Sequence, residues 1–187
     1  MFGFFRKVSA RIKTETCATP ASTNYAGIGC KPAGAGAAEI VFGAAAQPEF
    51  PARLVSDGDR ISLGEVVLEF RATPGHTPDG VCFVFTDRSR GAEPAAVFTG
   101  DTLFVGDVGR PDLFPGRGDE LASQLFDNLR NQLLRLPDTC LVYPAHGAGS
   151  LCGKALSSKL SSTIGTEKLH NAAILKHPEE EFIKSFL

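Results

Sequence analysis

The chain has four histidines, at positions 76, 146, 170 and 177, so any site built from imidazole draws on a short set. Two of the four close apolar runs. TPGH (73–76), FTGD (98–101) and YPAHG (143–147) each end a hydrophobic stretch at Gly or Pro and present a single His or Asp there. Imidazole nitrogen and carboxylate oxygen are ligands that suit zinc, iron or manganese, and the end of a strand holds them in place. Asp101, with two oxygens, is suited to bridging two ions. One such histidine alone would read as a buried polar group bonded to a turn. Three residues in the same setting point to a metal site made of His76, Asp101 and His146. His170 and His177 fall on polar helical stretches and read as solvated. Five cysteines (17, 30, 82, 140 and 152) include no C-x-x-C pair. That pattern argues against a disulfide framework or a thiolate zinc site, and for a reducing compartment such as the cytoplasm. Cys152, just after the His146 loop, has no neighbour in sequence arranged to activate it.

The elements that must carry these residues can be read from hydrophobic period. EIVFGA (39–44) reads as a buried strand. In ISLGEVVLEF (61–70) Val66, Leu68 and Phe70 alternate onto one face, which fits an antiparallel ribbon. VCFVFTD (81–87) and AAVFTGD (95–101) are further strands. The period then changes: Leu121, Leu125, Leu129, Leu133 and Leu136 step by three or four, one face of an amphipathic helix that Pro137 ends. TCLVYPAHG (139–147) follows as a short strand delivering Tyr143 and His146. Two helical pieces are expected after it, around KALSSKLSSTIG (154–165) and around PEEEFIKSFL (178–187), the latter with three glutamates in its first turn. Strands, a long helix, a strand and helices make a layered α/β domain over 38–187.

Residues 1–37 differ in kind. Phe5, Val8 and Ile12 recur at helical spacing among Arg6, Lys7, Arg11 and Lys13, with no acid before Glu15. Such a stretch resembles an organelle transit peptide, which makes the mitochondrial matrix the alternative location; its plainer reading is a solvated terminal helix. From 17 to 37 small and turn-forming residues give an irregular extension. With 187 residues, 43% hydrophobic, 21% charged and a formal charge of -2, the chain is a globular protein rather than a disordered or coiled-coil one. No apolar run reaches the roughly 18 residues of a membrane span, and near-neutral charge argues against a nucleic-acid surface.

Three blocks carry a more specific likeness: ATPGHTPDG (72–80), FTGDTLFVGDVGRPDLF (98–114) and VYPAHGAGSLCGKALSSKLSSTIGTEK (142–168). With GAAAQPEFPARLVSDGDRISLG before them, the chain resembles metallo-β-lactamase-fold proteins of the persulfide dioxygenase and glyoxalase II-like branch over roughly residues 38–187. The nearest likeness is to the lactamase-fold part of fusions with rhodanese domains. The resemblance implies an αββα sandwich, incomplete at its N-terminal half. It implies His76, Asp101 and His146 as metal ligands, with no further catalytic side chain assigned. Arg110, paired in the GR-x-D block with Asp112, and Tyr143 become the substrate-binding residues. The implied cofactor is iron, with zinc as the alternative. The implied partner is a small thiol such as glutathione persulfide, and the implied activities are sulfur dioxygenation or, as the alternative, thioester hydrolysis.

The family's H-x-H-x-D-H motif is absent, and TETCATPASTNYAGIGC (14–30) stands where it would fall. The iron of such dioxygenases resembles a two-histidine, one-carboxylate triad, and here one histidine of that triad is lacking. The expectation is therefore a weakly held metal and low turnover, or a non-catalytic binding relative. Glu15, Cys17 or Cys30 are the candidate substitute ligands. An exposed sheet edge would favour pairing with a second copy of the chain.

Overall fold

The computed structural model describes residues 40–176 and 178–187. The stretch 1–14, the segment 17–37, Glu15, Cys17, Cys30 and His177 lie outside the described residues. Among the described residues, eight strands form two sheets. β1 (Val41–Gly43) and β2 (Arg53–Val55) pair parallel as a small ribbon. The six-stranded sheet runs in sequence order: β3 (Arg60–Leu63), β4 (Val66–Ala72), β5 (Val81–Asp87), β6 (Ala96–Gly100), β7 (Leu141–Pro144) and β8 (Ser162–Thr163). Every pair in it is antiparallel except β6 with β7. The β3–β4 ribbon turns at Gly64, whose φ of 66° a side chain would strain, which is why the apolar run breaks there.

Alternation sorts the sheet into two faces. Phe70, Phe83, Phe98 and Tyr143 are in register across four adjacent strands, with successive ring centroids 5.7, 5.6 and 5.6 Å apart. Val66, Leu68 and Phe85 join them in one apolar cluster. On the opposite face Cys82, Val84, Val97 and Val142 pack under the helices. The expected antiparallel ribbon, the strands at 81–87 and 95–101 and the helix after them are all present.

That helix has two parts. α1 (Gly118–Asn128) leads into a π-helical turn, Leu129–Leu133, in which Leu134 N–H reaches back five residues to the carbonyl of Leu129 at 2.8 Å. The wider turn has a physical reason. Leucines spaced strictly by four drift about 40° per step around a 3.6-residue helix, and a turn with more residues takes the drift back. Leu121, Leu125, Leu129 and Leu133 are consequently all fully buried.

The tail requires one correction. Residues 154–161 are irregular rather than helical, and the helix begins only at α2 (Ile164–His170). Serines compete for backbone groups there, as in the bond from Lys159 N–H to Ser157 Oγ at 3.2 Å. Ser162 and Thr163 are drawn into β8, and Thr163 then caps α2 by accepting from Thr166 N–H. α3 (Glu179–Lys184) follows Pro178, with its three glutamates in the first turn. No helix among the described residues is long and apolar enough to cross a membrane.

The leucine stripe gives a direct test. Leu129→Ala should cost about 2–5 kcal/mol of stability, whereas Leu169→Ala, 70% exposed on α2, should shift stability by no more than about 0.5 kcal/mol. Urea midpoints of the two variants check this.

Candidate metal centre

The ends of β4 and β6 and the segment after β7 converge, and each is tied to its neighbour. Thr73, after β4, bonds through Oγ1 to the Thr102 hydroxyl at 3.1 Å. Ala145 N–H donates to the carbonyl of Gly100 at 2.9 Å, which docks the end of β7 on the end of β6. The turn before His76 sits against α1. A Cβ at Gly75 would fall 2.6 Å from the Leu125 Cβ, and Asn128 Nδ2 donates to the Pro74 carbonyl at 2.8 Å. Glycine is required a second time at Gly109, where a Cβ would lie 1.9 Å from the carbonyl oxygen of Asp101 and 2.9 Å from the Cβ of His76. The backbone there passes between the two residues.

His76 and Asp101 are buried, 3% and 5% exposed. The Nδ1–H of His76 donates to the carbonyl of Arg110 at 2.8 Å, which leaves Nε2 as the lone-pair nitrogen. Burial is the main cause holding the His76 pKa below the usual imidazole value; the nearby Asp101 carboxylate and the Arg110 carbonyl pull the other way without reversing it. The ring is therefore neutral. Asp101 Oδ1 accepts from Nδ1 of His146 at 2.5 Å. His76 Nε2 and Asp101 Oδ2 are both buried without a hydrogen-bond partner. Two buried acceptors without a donor make a cost that a cation removes, so the residues fit a metal.

His146 is the open side of this group, with a side chain 38% exposed and its ring 6.2 Å from that of Phe104. His76, Asp101 and His146 thus come together as the sequence suggests. Arg110 joins them through its backbone carbonyl, while its guanidinium forms a two-pronged pair with Asp112 at 2.6 and 2.6 Å. That pair raises the arginine's pKa and lowers the carboxyl's. Tyr143 stands in the aromatic row, stacked on Phe98 at 5.6 Å and 25°. His170 is exposed, as expected for a solvated residue.

Sequence reasoning missed two things here. One donor atom each from His76, Asp101 and Cys152 lies within 4.8 Å of the others, so Cys152 belongs to the cluster. Behind it runs a buried polar chain. The Asp107 carboxylate accepts from the backbone of Lys154, Ala155 and Val108 at 2.6, 2.7 and 2.9 Å. Asn171 donates to the Asp107 carbonyl at 3.0 Å and to Glu167 at 2.8 Å, and Glu167 also accepts from Gly106 N–H at 2.9 Å. Part of the signal was in the sequence: Ile164 and Glu167 share one face of α2 at i and i+3, and Asn171 follows at the helix end, all three buried.

A centre of this kind at the strand ends of a layered α/β domain places the chain in a known class. The metallo-beta-lactamase superfamily pattern matches residues 18–146, and the chain belongs to that superfamily. It is 41% identical over 130 residues to the mitochondrial persulfide dioxygenase ETHE1 of Bos taurus, an alignment covering 70% of this chain and 44% of that protein. Among solved structures, a metallo-beta-lactamase from Staphylococcus aureus superposes with a TM-score of 0.73 at 36% identity, covering 80% of this chain and 45% of that one. ETHE1 from Myxococcus xanthus superposes at 0.64 and 33% identity, covering 80% and 57%. The chain spans about half the length of these relatives.

Two measurements test the centre. An unfolded imidazole takes a proton near pH 6.5, whereas folded His76 takes one only at lower pH. Protons therefore favour the unfolded chain once pH falls below 6.5, and the stability this residue contributes is present above that pH and lost on acidification. The drop in urea midpoint between pH 7.5 and pH 5.5 should be smaller in His76→Asn than in the parent. Gly109→Ala should cost roughly 1–3 kcal/mol, because backbone rather than a flexible side chain must move, and calorimetry reads it.

Proposed function

We propose that this domain is of the persulfide dioxygenase type, holding a single iron at His76 and Asp101 and receiving a small thiol persulfide such as glutathione persulfide. The observation that carries the reading is the pair of buried, partnerless acceptors, His76 Nε2 and Asp101 Oδ2, on a neutral imidazole and a carboxylate. The identity with a mitochondrial persulfide dioxygenase supports the substrate class. When bound, such an iron supplies the redox chemistry and the open positions at which a sulfur substrate is oxidised.

The chain's own residues do the rest. The Arg110 carbonyl fixes the His76 tautomer, so the ring offers a lone pair without waiting for deprotonation. His146 keeps a proton on Nδ1 against Asp101 and orients that carboxylate from the solvent side. The fully buried ring of Phe104, 6.2 Å from that of His146, covers the site with an apolar wall on that side. Arg110 and Asp112, partly exposed beside the site, offer a charged rim for the anionic and amino groups of a glutathione-like substrate.

Protein loaded with iron under anaerobic conditions should bind about one ion per chain, weakly enough for mild chelators to strip it. It should take up oxygen with glutathione persulfide at a low rate, and His76→Ala and Asp101→Ala should abolish both properties. Uptake that survives both substitutions would sink the reading; so would iron-independent hydrolysis of a glutathione thioester as the main activity.

A further inference from the structure

Metal sites of two donors hold ions poorly, and a third group stands beside this pair. We infer that Cys152 is a third protein ligand of the metal, its thiolate completing a His76, Asp101 and Cys152 set. The inference rests on the metal reading proposed above and deepens it.

Three observations carry it. The ligand atoms of the three residues lie within 4.8 Å of one another. Nitrogen, oxygen and sulfur at roughly 2.0–2.3 Å from one ion stand roughly 3–4 Å apart, so a modest side-chain rotation closes the set. Second, the two residues that cluster with Cys152 each carry a buried, partnerless acceptor, His76 Nε2 and Asp101 Oδ2. Third, the segment bearing Cys152 is fixed rather than draped. Arg110 N–H donates to the Cys152 carbonyl at 3.0 Å, and Cys152 N–H donates to Ser150 Oγ at 3.1 Å. The next residues hang from the Asp107 carboxylate, which the Glu167 and Asn171 bonds reinforce from α2. Gly153 permits this approach, since a Cβ there would meet Leu156 at 2.3 Å and Asp107 Oδ2 at 3.0 Å.

The other described cysteines are placed differently. Cys82 and Cys140 sit in the hydrophobic core, where burial pushes each thiol up to about 11. Thiols in that setting are inert. Coordination of Cys152 releases its proton to solvent and adds a soft donor to two harder ones, which shifts preference toward zinc, cobalt and iron over magnesium or manganese. The backbone of one residue links the two ligands further: the Arg110 C=O accepts from His76, and the Arg110 N–H donates to the Cys152 carbonyl.

Cobalt(II) titration of the full chain, followed by absorption, is the test. The parent should show the near-ultraviolet thiolate-to-cobalt band and ligand-field bands together, saturating at one ion per chain. Cys152→Ser should lose the thiolate band while still binding cobalt, with affinity lowered by more than the roughly 10–100-fold that loss of an outer partner causes. Cys17→Ser/Cys30→Ser should keep the band. In the unsubstituted chain, cobalt should also slow alkylation of Cys152 by iodoacetamide, read by mass spectrometry. A band that persists in Cys152→Ser, or disappears only in the Cys17/Cys30 variant, overturns the inference. Cobalt binding with ligand-field bands but no thiolate band overturns it and leaves the His76–Asp101 site standing. No cobalt binding by the parent overturns both.

Discussion

β6 and β7 run side by side in the same direction, and a parallel pair cannot be closed by a tight turn. The chain must leave the end of β6, cross a face of the sheet and return to the opposite end before β7 begins. Residues 101–140 make that journey, and most of what defines this molecule lies on it. The outbound segment holds Asp101, Asp107, Gly109 and Arg110. The return is the leucine-faced helix, whose packing covers the sheet. Because the crossing starts where β6 stops and β7 ends beside the same point, the residues after both strands are delivered to one place.

Polar groups brought there must be satisfied or removed. Most of them are: Thr99 donates to the Leu103 carbonyl at 2.6 Å, Asp107 takes three backbone donors, and Glu167 and Asn171 complete one another. Against that background of paired groups, the two acceptors left over on His76 and Asp101 stand out as chemistry rather than carelessness of packing. The neutral state of His76 follows from the same dryness, so one cause produces both an available lone pair and an uncompensated oxygen.

Much of the architecture was legible because its signals are local and periodic. Alternation identified Val66, Leu68 and Phe70 as one face, and the step of four placed Leu121 through Leu133 on another. His76, Asp101 and His146 were legible through type and setting, each ending an apolar run. What escaped was non-local. Nothing in the sequence spacing brings Cys152 to His76, because the contact depends on where Arg110 and Asp107 anchor a loop that starts after β7. The helix expected at 154–165 failed for a related reason, as Asp107 and the serines take up the backbone groups an early helical turn would need. The π-helical turn was half-visible: a strict repeat of four leucines is a poor match to an α-helix, and the wider turn is how the chain honours it.

The sheet order also sets a sequence of events. β3, β4, β5 and β6 are a meander whose neighbours are close in sequence, and loop closure favours such pairs early. The β6–β7 pairing must wait for the crossover to be laid down. His76 lies before β5, Asp101 after β6, and His146 and Cys152 after β7, so these residues are together only once β7 has paired with β6. An ion that required all of them would bind the finished domain and no partly folded one. The binding energy of such an ion would enter as a mass-action pull on that docking step, slowing escape from the native state more than speeding arrival there.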